Sequence, residues 1–254
     1  MPRDATLEDR ADAVGRSVIL AEDREGIAAS VHSGSTVAYD LFSGDTDSGE
    51  LATTHPDRIS NGYPWQHGYG QFIRDCPIYE ACMPTGTHDY IAYGIDAQNP
   101  HTRADMITTE LCFLLLDNPV QRDIGFAIRM GGKGNNDLIA VYARIAADQQ
   151  TMTFGVDVYE DDAVVSSTLG GSSTYPGPVN LCWHWLKCRS DLTEVIIGDG
   201  PYPFPYTDRL TVPMTLYPTQ DVFGMFYRGP SMGVVLTQFQ INEGDYFVFA
   251  RESI

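Results

Sequence analysis

Residues 138–158, LIAVYARIAADQQTMTFGVDV, decide the fold. Ile139, Val141, Ala143 and Ile145 alternate with Leu138, Ala140, Tyr142 and Arg144. After a gap, Met152, Phe154, Val156 and Val158 alternate with Thr151, Thr153, Gly155 and Asp157. A period of two puts each set on one face of an extended chain, whereas a helix needs recurrence every three or four residues. The pattern predicts two strands, each burying one face. Ala147-Asp148-Gln149-Gln150 between them carries the polar turn chemistry of a hairpin.

The same texture extends in both directions. From Val37 onward, short alternating apolar runs are separated by Gly, Pro, Asn and Asp, and helical periodicity nearly vanishes. Strands are expected at 37–42, 71–74, 90–96, 105–117, 124–131, 137–146, 151–159, 163–168, 181–190, 193–198, 210–216, 222–228, 233–241 and 246–250. Turns are expected at 131–136, at Glu160-Asp161-Asp162 and at Asp199-Gly200. So many short strands demand two packed sheets or a barrel, because one open sheet would leave an apolar face in water. Residues 1–36 are polar and irregular and read as an N-terminal arm, a docking segment. Residues 37–254 read as one sandwich domain, a size that all-β folds reach without dividing.

Composition narrows the function classes. Hydrophobic residues at 43% with 11% aromatics can fill a core, which excludes a disordered chain. Sixteen basic against thirty-four acidic residues leave a formal charge of −18, a field that repels phosphate backbones and argues against nucleic acid as a partner. No stretch approaches the roughly 20 apolar residues of a membrane span, and residues 1–20 lack the apolar run of a secretory signal. Cys76, Cys82, Cys112, Cys182 and Cys188 have no zinc or C-x-x-C spacing. They read as buried free thiols, with Cys112 in ELCFLLL facing a core and a Cys76 to Cys82 loop as the less favoured alternative.

Gly125–Arg129, Leu138–Tyr142 and Thr151–Val156 resemble the central strands of laminin G or concanavalin A-like jelly rolls. Trp183-His184-Trp185-Leu186-Lys187-Cys188-Arg189, followed by Thr193–Gly200, is similar to that family's "W-x-x-L-x-V … x-V-x-x-D-G" hairpin. Phe223–Tyr227 and Val234–Ile241 occupy the places of its closing strands. Upstream, Ala38-Tyr39-Asp40-Leu41-Phe42, Gly62-Tyr63-Pro64-Trp65 and Gly70-Gln71-Phe72 resemble the opening of such domains in tail proteins of phages. The resemblance implies an all-β, two-sheet antiparallel jelly-roll sandwich with a short N-terminal arm, carried in a minor tail or tail-tip protein.

Glycosidases on this fold place acidic residues two apart on one strand, and this chain has no Glu-x-Asp-x-x-Glu run. Glu110 and Asp157 stand on strands without such a partner and are expected to face solvent. Glu160-Asp161-Asp162 has oxygen ligands that could hold calcium, but a solvated hairpin tip is the commoner use of such a cluster, and no metal or cofactor is predicted. The histidines lack zinc spacing, and there is no G-x-S-x-G or Walker loop. The recognition candidate is Pro201-Tyr202-Pro203-Phe204-Pro205-Tyr206, where prolines stiffen a run of alternate aromatics suited to stacking on sugar rings, with Tyr175 before Pro176 in a Gly-Ser-rich loop of the same half of the chain. Packing of these rings on the sandwich edge is the competing role. Tyr175, Tyr202, Phe204 and Tyr206 are thus the expected carbohydrate-binding residues, and no catalytic residue is named.

Together these readings predict a non-enzymatic structural virion protein of a tailed bacteriophage. It is made in the host cytoplasm, docks on other tail proteins through its arm, presents a lectin-like module to host surface glycan, and forms a homo-oligomer. The rivals are a free carbohydrate-binding module or lectin, and a glycan hydrolase or lyase using Glu110 or Asp157.

Overall fold

The computed structural model describes residues 36–40, 42, 49–51, 58–59, 65–75, 81–86, 88–96, 106–115, 119–131, 137–174, 183–201, 206–218, 220, 222–231 and 234–244. Strands β1 (Thr36–Asp40), β2 (Gly49–Glu50), β3 (Arg58–Ile59), β4 (Gln66–Tyr69), β5 (Gln71–Asp75) and β6 (Ala81–Thr85) come first. They are followed by β7 (Ile91–Asp96), β8 (Met106–Leu115), β9 (Arg122–Met130), β10 (Leu138–Ile145), β11 (Thr151–Glu160) and β12 (Ala163–Thr174). The chain continues through β13 (Trp183–Asp191), β14 (Glu194–Pro201), β15 (Thr207–Pro213), β16 (Val222–Arg228) and β17 (Val234–Glu243). All pairings are antiparallel. One sheet has ten strands on the path β15-β14-β13-β8-β17-β6-β5-β2, with β1 joining β17 to β3. The other has seven, in the order β12-β11-β10-β9-β16-β7-β4. Among the described residues there is no α-helix, and the two sheets pack as a jelly-roll sandwich. The arm at 1–36 falls outside the described residues except for Thr36, and the strand expected at 246–250 lies wholly outside them.

Consecutive hairpins account for β9 to β12 and for β13 to β15. Elsewhere the chain changes sheet: β8 pairs with β13 and β17, and β9 pairs with β16. The short strands β2, β3 and β4 were not expected, because Gly49–Glu50, Arg58–Ile59 and Gln66–Tyr69 hold too few apolar residues to show a period; β6, Ala81–Thr85, was not expected either.

The interior is the predicted set: Ile139, Val141, Ala143, Ile145, Met152, Phe154, Val156 and Val158 face Leu111, Phe113, Leu186, Cys188, Phe239 and Ile241 of the other sheet. Burying each Val, Leu, Ile, Phe or Met among them contributes about 1.5–3 kcal/mol. Trp65 also lies in this core. Its Nε1 donates to Asp40 Oδ2 at 2.8 Å, and its ring sits 5.3 Å from Phe239 and 6.3 Å from Phe42. The Asp40 and Trp65 of the opening motifs therefore hold each other.

Two expectations are corrected. The strands bury both faces, not one: all nine residues of β9 are buried, as are Leu138, Ala140 and Tyr142 on the outward side of β10. Cys112 is buried, as expected, and stands opposite Trp185 on the side of β8 away from Leu111 and Phe113. Burial pushes its thiol up to about 12, a Thr237 hydrogen bond opposing. Asp199-Gly200 is not a turn but part of β14, where the buried Asp199 accepts from Ser173 Oγ at 2.8 Å and pairs with Arg209. The turn between β13 and β14 is held by Asp191, whose Oδ1 accepts from the backbone of Thr193 and Glu194.

Arg129 pins this corner of the sandwich. It has φ +49°, is buried, and donates to the carbonyls of Met214, Leu216 and Asp191 and to Ser190 Oγ. A guanidinium with five rigid donors satisfies chain ends that an aliphatic side chain would leave unpaired.

Candidate functional site

The outward face of the seven-stranded sheet carries the densest chemistry among the described residues. Register places its side chains in rows across the strands. One row runs Gly155, Tyr142, Gly125, Phe226, Ala92 and Tyr69. The row on one side is Asp157, Ala140, Ala127, Gly224 and Gly94, and the row on the other is Arg144, Asp123 and Arg228. Small residues form the floor and large ones lie across it. A Cβ on Gly155 would stand 2.5 Å from the Tyr142 ring, so only glycine lets that ring lie flat on β11.

The rings form a continuous chain. Tyr69 stacks on Tyr90 at 4.6 Å, Tyr90 meets Tyr159 at 4.6 Å, both lie near Phe226, and Phe226 stacks on Tyr142 at 5.9 Å. Tyr90 precedes β7 while Tyr159 is on β11, four strand spacings or about 19 Å away in the sheet. Their rings touch because both lean inward over the row of alanines and glycines. The outcome is a second apolar cluster in which Tyr90, Tyr142, Tyr159 and Phe226 are at most 3% exposed.

Two arginines lie on these rings. The Arg228 guanidinium is 5.1 Å from the Tyr142 centroid and 5.7 Å from that of Phe226, and Arg144 is 5.4 Å from Tyr142. Arg228 Nε donates to Asp123 Oδ2 at 2.7 Å, Nη1 to Tyr159 OH at 2.9 Å, and Nη2 to Asp157 Oδ2 at 2.9 Å. Arg144 reaches Asp123 with Nε at 2.8 Å and Nη2 at 3.1 Å. Asp157 Oδ1 accepts from Ser167 Oγ at 2.6 Å and from Tyr142 OH at 3.1 Å. At the other end Tyr90 OH donates to Asp162 Oδ1 at 2.6 Å. The side chains of Arg144 and Arg228 remain 26% and 27% exposed above the buried rings.

The electrostatics lock one protonation state. The hydrogen bonds that Arg144 donates to Asp123 raise Arg144 above its ordinary value. For Arg228 burial pulls the other way and the carboxylates outweigh it. Burial, with Asp157 adding to it, pushes Tyr142 up to about 12. Burial does the same for Tyr159, up to about 12, with Arg228 opposing.

The sequence expectations fare unevenly. Tyr175, Tyr202 and Phe204 lie outside the described residues. Tyr206 opens the β15 side of the other sheet, half-buried, with Lys187 Nζ 5.8 Å from its ring; burial raises its hydroxyl well above the ordinary phenol range. It is therefore not part of the Tyr142 face. Glu110 and Asp157 are not solvent-facing, as both are buried, and they stand in different sheets. Glu110 accepts from Gln240, its cross-strand neighbour, and Asp157 is fixed by Arg228. The residues missed were Tyr90, Tyr142, Tyr159, Phe226, Asp123, Arg144 and Arg228. The available signal was a repeated pairing of aromatic and charge two residues apart: Tyr142 with Arg144, Asp157 with Tyr159, Phe226 with Arg228.

Neither a protein-family model nor a curated protein matches the sequence. Among solved structures, the CBM2 module of the evolved Dit of Lactobacillus casei BL23 phage J-1 aligns at 10% identity over 84% of this chain and 98% of that one, with a TM-score of 0.49. The metal-free exoplasmic/lumenal domain of VIP36 aligns at 6% identity over 86% and 97%, with a TM-score of 0.47. The GH43 BlXynB protein from Bacillus licheniformis aligns at 8% identity over 82% of this chain but 39% of that one, with a TM-score of 0.45. At such identities the likeness concerns shape alone.

Proposed function

We propose that this chain is a non-enzymatic glycan-binding module carried on the virion of a tailed bacteriophage, with the outward face of the seven-stranded sheet as its ligand surface. The carrying observation is the Arg144–Asp123–Arg228–Asp157 network spread over Tyr142 and Phe226. Sugars present alternating hydroxyls. Arginine and carboxylate groups already held in place by one another over buried rings offer donors and acceptors to such hydroxyls at low ordering cost. Binding is favoured over hydrolysis because a glycosidase keeps the space between its two carboxylates for sugar and water, whereas here the Arg228 guanidinium fills the space between Asp123 and Asp157. The virion setting, with the arm docking on tail proteins, is supported by the phage-like opening motifs around Asp40 and Trp65. Among the described residues no helix is long and apolar enough to cross a membrane.

The test is a panel of bacterial surface polysaccharides screened against the full chain, with calorimetry on any that binds. Arg144→Ala is expected to weaken binding tenfold or more, while Tyr206→Ala leaves it unchanged. Binding that ignores Arg144→Ala but is lost with Tyr206→Ala would move the site to the other sheet, and no binding across the panel would end the reading. Immunogold labelling of purified particles tests the virion setting separately.

A further inference from the structure

Strand β12, AVVSSTLGGSST, is the free edge of the seven-stranded sheet: among the described residues it pairs with β11 alone. Of its twelve residues only Gly170 and Ser173 are not exposed, and Val164, Val165 and Leu169 are 46%, 53% and 50% exposed. Proteins usually guard an edge with charge, proline or shortness. The edge strand β15 on the same side of the other sheet is guarded in this way: it is seven residues long, ends at Pro213 and carries Asp208 paired to Arg189. In contrast, β12 has no charged residue and no proline.

We propose that β12 pairs antiparallel with β12 of a second copy across a two-fold axis at Thr168, joining two seven-stranded sheets edge to edge. Register shifts at Val165 and Gly171 bracket Ser166–Gly170 as the regular stretch, whose centre is Thr168. Pairing about that residue sets Thr168 against Thr168, a favourable cross-strand pair, and Ser167 against Leu169. It also sets Val165 against Gly171 and Val164 against Ser172, so the bulky end of each strand meets the small end of its partner. Charge selects the same occupant. Two chains of formal charge −18 repel over most surfaces, and this uncharged strand is where they can approach, while it offers a basic partner nothing to hold. The symmetry is isologous and closes at two chains.

Sedimentation velocity of the full chain over a concentration series is the first measurement, with a reversible dimer expected. Thr168→Lys puts like charges on the axis and is expected to shift dissociation at least tenfold toward monomer, with an unchanged circular dichroism spectrum because Thr168 is exposed. Thr168→Cys lies opposite itself and is expected to form a covalent dimer under mild oxidation that neither the unsubstituted chain nor Val165→Cys forms at that rate. A chain that stays monomeric throughout overturns the proposal. So does a dimer that survives Thr168→Lys and is not captured by Thr168→Cys, since its interface must lie elsewhere.

Discussion

Strands β10 and β12 flank the same strand, β11, and share its hydrogen-bond ladder, yet they face opposite surroundings. Seven of the eight residues of β10 are buried, and its outward side chains, Tyr142 and Arg144, belong to the ring and guanidinium network. β12 is exposed almost throughout and has only Ser167 tied to that network. The ladder alone therefore does not make a strand rigid or sealed. Two things distinguish them: β10 is paired on both sides, by β9 and β11, while β12 is an edge, and the sheet face over β10 supplies rings and counter-charges. The network side is suited to holding a fixed pattern of donors, and the bare side to accepting another strand.

Alkali gives the widest means of breaking this contrast. Tyr142 and Tyr159 are raised to about 12 from the ordinary phenol value of 10.0, so the folded state holds protons that the unfolded chain has lost. Stability should be fully present below pH 10 and fall as the pH rises toward 12, by about 3 kcal/mol per tyrosine at most. Denaturant melts at stepped pH measure this fall, and the double replacement Tyr142→Phe, Tyr159→Phe should flatten the slope. A slope unaltered by that replacement would show that these rings do not carry the seal.

Gly125→Ala tests the floor under the network. The added Cβ would fall 2.1 Å from the Val141 carbonyl oxygen, a backbone atom that cannot step aside, and a loss of about 3 kcal/mol is expected in chemical denaturation. The smallest effect belongs to β12. Leu169→Ser, on an exposed position, should change stability by no more than about 0.5 kcal/mol. A loss as large as that of Gly125→Ala would mean that the edge is packed in the isolated chain, and the contrast would disappear.

Part of this was legible in the residues. The alternation at 138–158 specified two strands and the inward set, and Asp40 and Trp65 stood out before their hydrogen bond was seen. The outward face was not legible, because Tyr142 and Arg144 alternate with apolar residues in the way that solvent-facing side chains do. Asp157 likewise read as exposed: nothing adjacent to it in sequence announces Arg228, which lies 71 residues away.

The sequence by itself determined that the chain is all-β, closed as two packed sheets or a barrel, and which residues at 138–158 share an inner face. A period of two is a local property, and a sheet with one apolar face must find a second. Only the tertiary structure decided that the outward face is also sealed. Asp123 and Arg228 are 105 residues apart and meet because β9 pairs with β16. Tyr90 and Tyr159 meet across four strand spacings because the residues between them are alanine and glycine. Such meetings depend on the pairing of non-consecutive strands, and no local pattern encodes them.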